Sequence, residues 1–171
     1  MIIREEKASD AALLRALVAR AFRTMPYSRH NEATLLADLR RAGALAPSLV
    51  AEEDGVLLGQ IAFSPALIGG RAGWLAMGPI AVEPRFQRQG IGSALVREGL
   101  RRLAERGDEG CVLVGDPAFY GRFGFRPVSS VVVDGVPEAF VLVLPLQDRM
   151  PSGEVGFHPA FAVAPEADVI G

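Results

Sequence analysis

The sequence predicts a mixed α/β (α+β) fold with a mostly antiparallel central sheet flanked by helices. Three observations point there. Apolar residues recur at helical spacing in two early segments and one long later one. Short strand-like runs lie between them, joined by the turn dipeptides Asp54-Gly55 and Gly69-Gly70. At 171 residues, 50% hydrophobic and 22% charged, the chain has the size and composition of one globular domain with a full core.

Residues 1–5 read as an edge strand. Ser9 or Asp10 caps a helix whose buried stripe is Leu13, Leu14, Leu17, Val18 and Ala21, with Arg15, Arg20 and Arg23 outside it. Residues 25–30 are a loop, and Asn31 caps a second helix that carries Leu35, Leu36 and Leu39 and stops at Gly43. Residues 48–53 and 56–63 form a hairpin, and a third strand runs over 74–82. Pro79 lies inside that strand; lacking an N–H, it predicts a bulge or a parting of strands there.

The next helix, over 90–106, buries Gly92, Leu95, Val96, Gly99, Leu100 and Leu103, with Gly99 allowing close approach to a sheet and Gly107 ending it. Residues 111–115 form a buried strand and 117–122 a short helix; 125–133 and 138–144 form a hairpin. The order is β-αα-βββ-α-β-α-ββ. Residues 1–145 are expected to form a single domain, and 146–171, rich in Pro and Gly, a tail packed on it.

Composition excludes several classes of function. Eighteen Lys and Arg against 20 Asp and Glu give a net charge of −2, too little positive charge for a nucleic-acid binder. Arg97, Arg101, Arg102 and Arg106 alternate with Glu98 and Glu105 as on a solvated helix face. One cysteine, Cys111, allows no internal disulfide and no cysteine-rich zinc site, and two histidines leave little for a metal. The longest uncharged run, 55–70, contains Pro65 and is too short to span a bilayer; the charged N-terminus lacks a signal peptide's apolar run. A cytoplasmic protein without metal, membrane or nucleic-acid partner is expected, as monomer or homodimer.

The chemistry concentrates after the third strand. Ile80, Ala81 and Val82 lead into a loop with Arg85 and Arg88, and Gly90 and Gly92 open the amphipathic helix. Glycines there let backbone come close to a ligand, and free N–H groups at the positive end of the helix dipole favour phosphate. A dinucleotide fingerprint would need a small residue where Leu95 stands, and a P-loop would need a lysine. An anion site over 87–93 remains, with neither common nucleotide motif.

Gln87-x-x-Gly90-x-Gly92, after Pro79-Ile80-Ala81-Val82, resembles the pyrophosphate loop of the GNAT superfamily of acetyl-CoA-dependent N-acetyltransferases. Asp116-Pro117-Ala118-Phe119-Tyr120-Gly121-Arg122-Phe123-Gly124-Phe125 resembles that family's second signature, on the expected element and in the expected order. Glu32-Ala33, Leu39-Arg40, Phe63-Ser64-Pro65 and the segment from His158 to Phe161 look like its bacterial YhbS-like branch.

The resemblance implies acetyl-CoA as co-substrate and direct transfer to a primary amine, on a small molecule or a protein, in a ternary complex. It implies that Ile80, Ala81 and Val82 offer backbone groups to the pantetheine arm. Gln87, Arg88, Gln89, Gly90, Ile91, Gly92 and Ser93 would cradle the pyrophosphate, with Phe119 and Arg122 along the CoA. Tyr120 matches the tyrosine that protonates the departing thiolate in many members, and Glu32 is a candidate substrate contact. One departure stands out: the glutamate base that some members carry before the loop has no counterpart over 73–82. The alternative is a non-catalytic acyl-CoA-binding module with the same fold.

Overall fold

The structure, a computed structural model, describes residues 1–26 and 28–162. In chain order it comprises β1 (Ile2–Glu5), α1 (Ala11–Phe22), α2 (Glu32–Arg41), β2 (Ser48–Glu53), β3 (Val56–Ile68) and β4 (Arg71–Val82). These are followed by α3 (Ile91–Arg106), β5 (Gly110–Val114), α4 (Pro117–Tyr120), β6 (Arg126–Pro127), β7 (Val131–Val132), β8 (Val141–Pro145) and β9 (Gly153–Phe157). Across the sheet the strands run β1-β2-β3-β4-β5-β8-β6, antiparallel throughout except for β4 against β5. This is the mixed, mostly antiparallel sheet the sequence predicts.

Alternation along the strands sends side chains to two different layers. Leu58, Ile61, Phe63, Leu75 and Met77 meet Leu95, Val96 and Leu103 of α3 on one face. On the other, Ala62 and Ala81 lie under Leu17, Val18 and Ala21 of α1 and Leu36 of α2. Further along that face Trp74, Ala66, Val112 and Val143 pack with Val131 and Val155. Leu13 is exposed rather than buried, because it lies at the edge of the arc that Leu14, Leu17, Val18 and Ala21 share.

Three expectations need correction. The chain beyond Pro145 is more than a surface tail: β9 joins β3 antiparallel, with Ala66, Leu67 and Ile68 opposite Phe157, Gly156 and Val155. The hairpin expected over 125–133 and 138–144 shrinks to two antiparallel pairs, Arg126 with Val143 and Pro127 with Leu142. Val131–Val132 instead runs parallel to β9, and residues 138–140 form a 3-10 turn. Asp10 does not cap α1; its carboxylate accepts from the Lys7 N–H (2.7 Å) and from Arg4 Nη1 and Nη2 (2.8 and 3.1 Å). The last nine residues of the expected tail, 163–171, lie outside the described ones.

The Asp10 carboxyl is held below its ordinary value of 3.8, chiefly by the Arg4 hydrogen bonds. A depressed folded value means that its contribution is complete above the unfolded value and fades as pH falls through the lower folded one. Asp10→Asn is therefore expected to destabilise the fold at pH 7, by about 1.5–3 kcal/mol, the usual worth of hydrogen bonds to a charged group. The gap to the parent should close in strong acid, as read by urea denaturation at both pH values.

Gly99 carries the contact between α3 and the sheet. A Cβ there would fall within 2.6 Å of Phe63 Cε2, on a fully buried ring. Helix propensity favours alanine over glycine by about 1 kcal/mol, whereas overpacking a tight core costs about 1–3 kcal/mol. Gly99→Ala is expected to be net destabilising despite its better propensity, seen as a lower midpoint in urea.

Candidate active site

The site begins where β4 leaves β5. The two strands pair only at Trp74 with Gly110, Leu75 with Cys111 and Ala76 with Val112. Beyond Ala76, β4 continues to Val82 along β3 alone, while β5 stays paired with β8 as far as Val114. On the β3 side the register slips: Ile61 faces Ile80 but Phe63 faces Met77, so Ala62 spans both Gly78 and Pro79. Gly78 has φ +129°, a backbone conformation that favours glycine, and Pro79 has no N–H to give a ladder. The opening thus starts slightly before the residues the sequence singled out.

At the far end of β4 the chain makes a 3-10 turn at Pro84–Phe86 and then the loop. Gln87 folds back, its Nε2 donating to the Val82 carbonyl at 3.1 Å. Arg88 and Gly90 have φ of +63° and +86°, while Arg88, Gln89 and Gly90 are exposed. The first helical bond of α3 runs from the Ala94 N–H to the Gly90 carbonyl at 3.0 Å. The N–H groups of Ile91, Gly92 and Ser93 precede that ladder and have no carbonyl one turn back within the helix. A Cβ on Gly90 would meet nothing within 4 Å, and one on Gly92 would touch only Val82 Cγ2 at 3.8 Å. The space beside Gly90 is clear, and the three N–H groups are the donors that an anion at this helix start would use.

The opposite wall is α4 and the turn after it. Asp116 accepts from the Ala118 N–H at 2.9 Å and so caps α4, with Pro117 at its first position. The Tyr120 ring lies over Gly115, where a Cβ would come within 2.6 Å of Tyr120 Cε2. Edge-on contacts to Phe119 and Phe125, with centroids at 4.9 and 6.0 Å, hold that ring. Phe119 and Tyr120 pack against the same cluster as Ile80, Val82, Ile91 and Leu95, so strand edge, loop helix and tyrosine share one support. Ala81, between Ile80 and Val82, points to the α1–α2 face instead.

Arg122 stacks on Phe119 at 4.5 Å and lies 5.5 Å from the Phe123 centroid. Arg97 reaches the same Phe123 ring from α3, at 5.2 Å. The sequence placed Arg97 on a solvated face with its neighbours. Arg101 and Arg102 pair with Glu98, and Arg97, exposed as expected, also lies over Phe123 in the turn after α4, near Arg122. Periodicity locates it outside the apolar stripe; the contact with Phe123 is visible only in the structure.

The acids near the site are already engaged. Glu83 follows β4 directly, yet Arg20 grips it with two hydrogen bonds of 2.8 and 2.9 Å and holds its carboxyl below the ordinary range. Glu32 opens α2 on the other face of the sheet, where Ser28 Oγ lies 2.8 and 2.7 Å from its two oxygens. It therefore does not join the loop and tyrosine cluster. His158 Nδ1 accepts from the Ala160 N–H at 3.0 Å. Cys111 is fully buried, and burial pushes its thiol far above the usual range, so it offers no nucleophile.

Comparison with known proteins agrees with this geometry. Residues 45–127 match the family model described as an acetyltransferase (GNAT) domain. The uncharacterised N-acetyltransferase YhbS of Escherichia coli K12 is 42% identical over 128 residues, 74% of each chain. The uncharacterised N-acetyltransferase YjhQ of the same strain is 34% identical over 127 residues, 71% of this chain and 67% of its own. Among solved structures, a GNAT family acetyltransferase from Brucella melitensis in complex with acetyl-CoA superposes with a TM-score of 0.84. It has 46% identity over 94% of this chain and 97% of that one. YhbS from Escherichia coli in complex with CoA gives a TM-score of 0.86 and 36% identity over 94% and 91% of the two chains. With relatives this similar over most of its length, the chain belongs to the GNAT family of N-acetyltransferases.

Proposed function

We propose that the protein moves an acetyl group from acetyl-CoA to a primary amine by direct transfer in a ternary complex. The observation that carries this reading is the conjunction of three features on one apolar support. These are a β4 edge released from β5, a helix start with open space before it, and Tyr120 held over Gly115 on the facing wall. In this reading the backbone of Ile80, Ala81 and Val82 holds the pantetheine arm. Gln87, Arg88, Gln89, Gly90, Ile91, Gly92 and Ser93 receive the pyrophosphate, and Phe119 and Arg122 flank the CoA. The relatives crystallised with acetyl-CoA and CoA support it.

The reaction asks for little covalent help. The neutral amine adds to the thioester carbonyl, the C–S bond breaks, and the amine nitrogen gives its extra proton to solvent. The sulfur leaves as a thiolate and takes the Tyr120 hydroxyl proton, which solvent then restores. With Glu83 bound by Arg20 and no acid on β4, water is the proposed proton acceptor. Glu32, at the start of α2 on the other face, is proposed to contact a cationic acceptor. The missing strand carboxylate is also what favours a second reading, a non-catalytic acyl-CoA-binding module; the buttressed Tyr120 ring speaks for turnover.

Two experiments separate these readings. Gly92→Glu adds bulk and negative charge at the helix start, yet its Cβ has room, so the variant is expected to fold and to lose acetyl-CoA binding in calorimetry. Unchanged affinity would refute the proposed phosphate site. Tyr120→Phe keeps the ring and removes the proton, whose value is concentrated in the transition state. With an amine found by thiol-release screening, kcat is expected to fall by about 10²–10⁴ with acetyl-CoA affinity nearly unchanged. Wild-type turnover in that variant would reduce Tyr120 to a packing residue.

A further inference from the structure

Helix α1 stands behind both halves of the proposed acetyl-CoA groove. Its Leu17, Val18 and Ala21 pack on Ala81, the residue between Ile80 and Val82. From its last turn Arg20 reaches past the end of β4 to Glu83, the first residue after Val82. Strand edge and loop are therefore fixed to one helix, by apolar packing at Ala81 and by an ion pair at Glu83.

The hydrogen bonds inside the loop give it shape but not direction. The Phe86 N–H donates to the Glu83 carbonyl at 2.8 Å and the Gln87 N–H to the Pro84 carbonyl at 3.3 Å, while Gln87 Nε2 returns to the Val82 carbonyl. Three contacts tie this segment to other elements: the Glu83 N–H donating to the Leu58 carbonyl of β3 at 2.8 Å, the Phe86 side chain on the core, and the Arg20 fork. A single backbone bond lets the chain turn about it, and apolar packing has no preferred direction. The fork differs: Arg20 Nε and Nη2 donate to the two carboxylate oxygens of Glu83 at 2.9 and 2.8 Å, which sets an angle as well as a distance. Only 15% of the Glu83 side chain is exposed, so the pair is screened less than one wholly in solvent.

We propose that Arg20 is a positioning residue for acetyl-CoA. Acting through Glu83, it sets how the loop over 84–90 leaves β4, and so holds the N–H groups of Ile91, Gly92 and Ser93 where the pyrophosphate meets them. A site arranged before its ligand arrives loses less freedom on binding, so the pair is worth affinity and not stability alone. This inference rests on the reading of residues 87–93 as the pyrophosphate site.

The test is acetyl-CoA binding to the full chain by calorimetry. It is run at a temperature where circular dichroism shows each variant as folded as the parent, so that lost stability cannot pass for lost affinity. Arg20→Met is expected to raise Kd at least about fivefold. Arg20→Lys keeps the charge without the fork and should still raise it at least about threefold. Adding Glu83→Gln to Arg20→Met should cost nothing further, because Arg20 acts through Glu83. Should Arg20→Met not fold, Arg20→Lys and Glu83→Gln alone decide, and each is expected to weaken binding. Folded variants that all bind within about twofold of the parent would overturn the proposal. So would parental affinity in Arg20→Lys, which would reduce the pair to charge cancellation, and so would losses that multiply in the double variant. A parent that does not bind acetyl-CoA would instead refute the pyrophosphate site itself.

Discussion

Past Ala76, β4 has a hydrogen-bonded strand on one edge only, and the rest of the site follows from that. A buried strand edge is a row of donors and acceptors that needs partners. Elsewhere in this sheet neighbouring strands supply them. Here Pro79 and the slip opposite Ala62 divert β4 from β5, and the exposed ladder ends at a helix start whose N–H groups also lie outside regular pairing. Two kinds of unfinished backbone thus converge on one groove. Recognition built from main-chain groups depends little on which side chains line it, but it depends strictly on the glycines that keep the approach clear.

That dependence explains which features of the candidate site are legible in the sequence. Gly90 and Pro79 are residues whose backbone limits are local, so their message does not need the fold. The long helix α3 was equally readable, because sixteen residues with one apolar stripe and glycines of positive φ at both ends leave little choice. Residues whose role is set by distant partners were not. Strand β9 has two glycines and one deeply buried residue, Val155; nothing in its own pattern announces a strand until β3 stands beside it. Arg97 carries the same local signature as Arg101, yet one meets Phe123 and the other Glu98. Glu83 was silent for the same reason, since its partner Arg20 is on another element.

The ion pairs near these elements share a geometry. Only one of the 18 basic residues is a lysine. Arg4 holds Asp10 with two nitrogens and also reaches Glu52, Arg20 holds Glu83 with two, and Arg40 holds Glu6. A planar guanidinium fork fixes direction as well as distance, so the pairs of Arg20 and Arg40 each set an angle between a helix and a loop, while Arg4 ties β1 to β2 and to the turn before α1. The Arg20 and Arg40 pairs tie the last turns of α1 and α2 to the loops that follow β4 and β1.

Strand β9 carries one more consequence, for how the pairings of the sheet depend on one another. On the edge of β3 that β2 occupies up to Ala62, the places opposite Ala66, Leu67 and Ile68 are taken by the last strand of the described chain. The hairpins β2–β3 and β3–β4 close locally and need nothing downstream. Ile68 instead pairs with Val155, in a strand that follows every other strand in the chain. Pairings of such high sequence separation form slowly. The local hairpins can therefore pair without β9, and β9 fills the three places on β3 that they leave open, which makes Ala66, Leu67 and Ile68 depend on the most distant pairing in the sheet.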